Sequence, residues 1–237
     1  MLSRNVTLIV HYLLDNFIPP ILRDCKWFMW PVIRFTCGSK TGMVMEFKEK
    51  FPFMTEDELS DYYELIKDGP INKREMDLNT ACLDYILNNL VGESVLDAAC
   101  GRGGLLKKLR DKYPNVKLSG CDLVIDEMDA TCTQASLYSL PFNDDSFDTV
   151  ICTHALEHVR DHKKALNELM RVSRKRLIIV VPKQREYLYT PNLHVHFLPY
   201  LYRFKIFIGL EAANYLELKG DFLCVIDKQP KRDTHIR

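Results

Sequence analysis

The run Glu93-Ser94-Val95-Leu96-Asp97-Ala98-Ala99-Cys100-Gly101-Arg102-Gly103-Gly104-Leu105-Leu106 constrains the fold more than any other stretch of the chain. Ser94 to Ala99 is a short apolar run ending in small residues, the pattern of a strand buried on both faces of a parallel sheet. Gly101, Gly103 and Gly104 lack Cβ atoms, so the backbone there turns tightly and approaches a ligand closely. Leu105, Leu106 and Leu109 follow at helical spacing, with Lys107, Lys108, Arg110 and Lys112 on the other face and Pro114 as the stop. Strand, glycine turn and helix in that order build a cradle of nucleotide size.

The residues around the turn narrow the ligand. A dinucleotide fingerprint begins with glycine at the strand end and seats a pyrophosphate on the helix N-terminus. Here Asp97 ends the strand, with Ala98, Ala99 and Cys100 before the first glycine. A carboxylate repels pyrophosphate but suits a ligand carrying an ammonium group. Lys117 to Asp122 reads as the second strand and also ends in an acid. A nucleotide fold places its ribose-binding carboxylate about twenty residues beyond the first glycine, which makes Asp122 the candidate acceptor for ribose hydroxyls.

The first stretch resembles motif I of the class I S-adenosylmethionine-dependent methyltransferases, an acid followed by Gly-Cys-Gly-x-Gly, with Ala99 in place of the first glycine. A second stretch, Leu140-Pro141-Phe142 followed by Ser146-Phe147-Asp148 and His154-Ala155-Leu156-Glu157-His158, is similar to the type 11 members of that family. The resemblance implies an α/β, Rossmann-like, mostly parallel seven-stranded sheet whose last strand is antiparallel, with S-adenosylmethionine as cofactor. It implies cofactor contacts from Asp97, Ala99, Cys100, Gly101 and Gly103, ribose contact from Asp122, adenine contacts from Ser136 and Leu137, and a contact from Thr153. Ser136 stands where the family commonly has an acid. Lid residues before motif I would be Tyr62, Tyr63 and Arg74. Only Leu123 to Thr133 separate the second and third strands, so the helix usual there is shortened or lost.

His154, just past the strand Phe147–Thr153, is expected to point towards the methyl donor or acceptor and is a candidate base for a hydroxyl acceptor; Glu157 and His158 are either catalytic or, as favoured, secure the loop. Leu177 to Val181 reads as a central strand, with Ser173 to Arg176 as the turn leading to it. The loop from Lys183 to Phe197 should carry acceptor specificity. His194 and His196 are its candidate bases for a hydroxyl acceptor, although each could equally hold the loop by hydrogen bonds; two histidines alone make a poor metal site. Two alternating runs around Lys219-Gly220 read as a closing hairpin.

At 237 residues the chain suits one α/β domain with an extra N-terminal segment, here divided as a helical cap or lid over 1–76 and the methyltransferase-like domain over 77–237. Thr55-Glu56-Asp57-Glu58 is a capping box, and a second helix is expected from Asp77 to Leu90. Lys plus Arg and Asp plus Glu balance at 32 each, so the charge does not point to nucleic acid. Eight cysteines without CxxC spacing suit free thiols in a reducing cytoplasm rather than disulfides or zinc. Val6 to Leu14 is too short to span a bilayer, and the segment lacks the signature of a signal peptide. The aromatic and basic stretch Ile21 to Phe35 reads either as a cap over the substrate pocket or as a contact with a membrane interface or partner chain, the cap being favoured.

The resulting expectation is methyl transfer to an oxygen or carbon of a small molecule, lipid-linked, sugar or quinone-like. The rivals are a non-catalytic methyltransferase-like subunit and an NAD(P)-dependent oxidoreductase. Asp97, an acid where a pyrophosphate would sit, disfavours the latter.

Overall fold

The computed structural model describes residues 12–66, 76–125 and 131–228. Seven strands form one sheet in the order β3-β2-β1-β4-β5-β7-β6. They are β1 (Ser94–Ala98), β2 (Lys117–Asp122), β3 (Cys132–Gln134), β4 (Phe147–Thr153), β5 (Ser173–Pro182), β6 (Asn214–Leu218) and β7 (Asp221–Asp227). β7 pairs antiparallel with both β5 and β6; the pairings among β1 to β5 are parallel. The Rossmann-like sheet expected from the family resemblance is therefore present, with its last strand antiparallel. β1, β4 and β5 are central, and their inner stretches Val95-Leu96, Val150-Ile151-Cys152 and Leu177 to Val181 are covered on both faces, which is why these read as apolar runs.

The helix after the glycine turn spans Gly104–Lys112 and buries Leu105, Leu106 and Leu109 against the sheet, as their spacing requires. Asp161 caps the helix His162–Val172 by accepting from Lys164 N at 3.0 Å. The helix before β1 is shorter than expected, Thr80–Asn88. Asn79 takes the N-cap position, accepting from Cys82 N at 2.9 Å and donating to Asp221 Oδ2 at 2.7 Å.

The largest departure lies after Val172. Ser173 to Arg176 is not a turn but the first part of β5, so helix passes directly into strand. The three basic residues sit in the sheet because acids remote in sequence meet them: Asp148 pairs with Arg174 and Lys175 at 2.7 and 2.9 Å, and Asp227 with Arg176 at 2.6 Å. Asp148 also accepts from Glu93 N and Ser94 Oγ. Burial alone would raise its pKa, but these donors hold the carboxyl well below its ordinary range. Between β2 and β3, residues 123–125 and 131 are not helical; the expectation of a shortened or lost crossover helix turns on residues 126–130, which lie outside the described residues.

The N-terminal helices Lys26–Cys37 (α1), Thr41–Lys50 (α2) and Glu56–Ile66 (α3) pack on the segment that follows β5. The capping box is formed: Thr55 N donates to Glu58 Oε2 and Glu58 N to Thr55 Oγ1. Phe47, Phe51 and Met54 bury Leu193, with Val195 packed alongside, and Met29, Ile33, Val44 and Met45 pack beside Tyr189. Leu188 N donates to Asp24 Oδ1 and Arg160 Nη2 to Phe51 O, so polar contacts fix the same junction. α1 is nevertheless apolar on both sides: Trp27 and Phe35 point outwards, 75% and 79% exposed.

All eight cysteines are free, and Cys82, Cys100, Cys121, Cys152 and Cys224 are buried. Among the described residues no helix is long and apolar enough to cross a membrane.

Candidate functional site

The chain leaves β1 towards β2 and β3, then crosses back to β4 on the other side of β1. Ligands in open α/β sheets bind at such a switch point, beyond the carboxyl ends of the strands. A cleft of about 250 Å³ lies there, lined by Ala99 and Gly101 from the first turn, Asp122 from β2, Ser136 and Leu137 from the segment after β3, His154 and His158 from the loop after β4, and Tyr63 from α3. Ala99, Gly101 and Gly103 all have positive φ, at 60°, 52° and 73°. This is how the chain folds back between Asp97 and the helix, and Gly103 N closes the turn on Cys100 O at 2.9 Å. The alanine at position 99 thus holds a left-handed conformation that a glycine would adopt without strain.

Asp97 is 1% exposed, and neither of its carboxylate oxygens receives a hydrogen bond. Burial, reinforced by the charge of Asp122, pushes its pKa up to about 8. An ammonium group brought beside it would supply the missing donors and countercharge. Asp122 differs. Gly101 N donates to its Oδ2 at 2.7 Å and Val124 N to its Oδ1 at 3.1 Å, so it is held in place by the turn it serves. Burial raises its pKa, and these N–H groups work against the rise. Each oxygen keeps a further lone pair for a hydroxyl.

The Tyr63 hydroxyl is buried and without a partner, its pKa raised by burial and then by Glu157 and Asp122. Of the lid candidates it is the one at the cleft; Tyr62 packs on Phe47 instead, and Arg74 lies outside the described residues. Ser136 accepts from Tyr138 N at 3.1 Å, and Ser136 and Leu137 both reach the cleft. Cys100 is buried, and Thr153, the last residue of β4, pairs with Val180.

His154 stands at the cleft with φ 52°, its Nδ1 3.5 Å from Glu157 Oε1 and its Nε2 3.6 Å from Asp221 Oδ2. Burial would lower its pKa, but the two buried carboxylates overcome this and push it up to about 9. The imidazole is a cation at neutral pH, so the expected base is instead the counter-ion of two acids. His194 and His196 do not reach the cleft. His194 is buried on Gln184 Oε1 at 2.7 Å, and His196 Nε2 is 2.8 Å from Val159 O. Asp221 and the depth of Glu157 escaped the sequence reading. The one available signal for Asp221 was an acid directly after the Lys219-Gly220 turn, at the start of a strand.

Residues 96–181 match the family model described as a methyltransferase domain. An uncharacterized protein of Methanocaldococcus jannaschii is 37% identical over 92 residues, covering 37% of this chain and 40% of that protein. A demethylmenaquinone methyltransferase of Thermotoga maritima is 30% identical over 97 residues, covering 38% of this chain and 42% of that protein. The chain thus spans less than half the length of these relatives. Among solved structures, a SAM-dependent methyltransferase from Aquifex aeolicus superposes with TM-score 0.51 at 16% identity, covering 71% of this chain and 97% of the other, which shows a shared fold.

Proposed function

We propose that this chain, whose residues 96–181 form a methyltransferase domain of the class I S-adenosylmethionine-dependent family, transfers a methyl group to an oxygen or carbon of a small-molecule acceptor. The observation that carries the reading is the pair of acids at the ends of β1 and β2. Asp97 is a buried carboxylate lacking any donor, and Asp122 is fixed at the cleft by Gly101 N. Asp97 receives the ammonium end of the cofactor and Asp122 the ribose hydroxyls, with Ala99, Cys100, Gly101 and Gly103 shaping the turn between them. Ser136 and Leu137 border the adenine side, Thr153 at the end of β4 contacts the cofactor, and Tyr63 closes over the carboxylate end.

When bound, S-adenosylmethionine supplies a sulfonium methyl already activated for transfer. The protein's part is to align the acceptor and exclude water. The His154 cation neutralises Glu157 and Asp221 beside the cleft, while His194 and His196 hold the segment after β5 against the loop after β4. The described N-terminal helices α1 to α3 cover the acceptor side. The demethylmenaquinone methyltransferase relative favours a quinone-like acceptor. The outward aromatic face of α1 favours one presented at an apolar surface, with the protein in the cytoplasm beside a membrane. Incubation with radiolabelled S-adenosylmethionine and fractionated extract should place label in the lipid-extractable fraction; label in no fraction would contradict the reading.

A further inference from the structure

We propose that Glu157, His158 and His194 form a binding site for one divalent transition-metal ion, zinc foremost, at the junction of the loop after β4 with the segment after β5. The Glu157 side chain is wholly buried, yet neither of its oxygens receives a hydrogen bond. His158 Nε2 and His194 Nε2 each lie 3.9 Å from Glu157 Oε1, and one ligand atom from each of the three residues falls within 4.8 Å of the other two. Two ring nitrogens face one oxygen of a buried carboxylate that receives no hydrogen bond, which is the arrangement an ion between them would explain.

The outer contacts of the two rings have the form that metal-binding imidazoles take. His158 Nδ1 is 3.0 Å from Leu193 O, and His194 Nδ1 is 2.7 Å from Gln184 Oε1. The partner of His158 Nδ1 is a backbone carbonyl oxygen, so Nδ1 carries the proton in that ring and Nε2 turns its electron pair towards Glu157, while His194 Nδ1 faces both the Gln184 oxygen and the Asn192 amide. The Asn192 amide, 3.0 Å from His194 Nδ1, donates to Gln184 Oε1 at 3.3 Å. Two imidazoles and a carboxylate are the donor set of open zinc sites, whose Zn–N and Zn–O bonds are about 2.0–2.2 Å. Ligand atoms around a tetrahedral ion then sit about 3.4 Å apart, so these side chains draw in by roughly half an ångström to an ångström.

The ion would add a cross-link to a junction already in register, where Val195 N and His196 N both donate to Glu157 O, at 2.9 and 3.0 Å. His158 also lines the cofactor cleft, so the coordination position left open by three protein ligands is within reach of an acceptor oxygen.

Full-length protein stripped with chelator and titrated with Zn²⁺ by calorimetry should take up one ion. The same ion should raise its melting temperature, and Co²⁺ in its place should give visible ligand-field absorption. His194→Asn and Glu157→Gln should each weaken uptake at least tenfold and abolish the absorption. Gln184→Ala, which leaves the ligands and removes only a partner of His194 Nδ1, should weaken uptake by about 10–100-fold, and it carries the test if either ligand variant fails to fold. S-adenosylmethionine affinity measured in parallel separates this proposal from the cofactor reading. Uptake equal in wild type and in every folded variant, or no stoichiometric uptake by the wild type, would overturn it.

Discussion

His154 Nε2 lies 3.6 Å from Asp221 Oδ2, which ties the end of β4 to the first residue of β7 across the top of β5. Asp221 in turn accepts from Asn79 Nδ2 at 2.7 Å, so the cation at the cleft also anchors the residue that caps the helix before β1. Removing the imidazole takes away the charge facing the buried Glu157 carboxylate, which receives no hydrogen bond. His154→Ala should therefore destabilise the protein by about 3–5 kcal/mol, read by chemical denaturation. The native pKa is raised to about 9 from 6.5, so the stabilisation is fully present below pH 6.5 and fades as pH rises through about 9. The difference between wild type and variant should shrink over that window.

Asp97 titrates in the opposite sense to an ion-paired acid. Its native pKa of about 8 exceeds the ordinary 3.8, so the folded protein without cofactor holds a proton that the unfolded chain releases. Its contribution to stability is intact below pH 3.8 and is lost as pH rises to about 8. Asp97→Asn should flatten that fall in a melting series across pH. In the wild type an incoming ammonium favours the ionised carboxylate, so cofactor binding near pH 7 should release a proton. Calorimetry in buffers of different ionisation enthalpy should detect the release, and Asp97→Asn should abolish it.

The Tyr63 hydroxyl is buried without a partner at the cleft, so it contributes nothing to the stability of the protein without ligand. Tyr63→Phe should leave that stability unchanged or raise it. Cofactor affinity should fall about three- to tenfold, the net worth of one hydrogen bond. Unchanged affinity would remove Tyr63 from the lid.

Ala99 occupies a left-handed conformation at φ 60°. That costs about 1–2 kcal/mol for a residue with a Cβ, against about 0.5–1 kcal/mol of extra chain entropy for glycine. Ala99→Gly should stabilise the protein by up to about 1 kcal/mol in denaturant titration, a small gain set at the cofactor turn itself.

What was legible in the sequence follows from range. The stripe Leu105, Leu106, Leu109, the buried run of β4 and the acids at Asp97 and Asp122 are local patterns, and each appears in the fold where its period or spacing puts it. The hidden parts depend on partners far along the chain. Arg174, Lys175 and Arg176 look like a solvated turn until Asp148 and Asp227 arrive beside them. His154 looks like a base until Asp221 faces it, and His194 looks like a second base until Gln184 and Glu157 enclose it. Spacing reports which strand end a residue occupies, whereas its protonation is set by neighbours that only the fold assembles.

The central claim is that the carboxylates ending β1 and β2 hold one S-adenosylmethionine. Its most direct test is calorimetric titration of that compound into wild type and into Asp122→Asn, with folding of both checked by circular dichroism. Two charge-assisted hydrogen bonds to ribose are at stake, so the variant should bind about 10–100-fold more weakly while the wild type binds one equivalent. Equal affinity in the two proteins, or no binding by the wild type, would contradict the account.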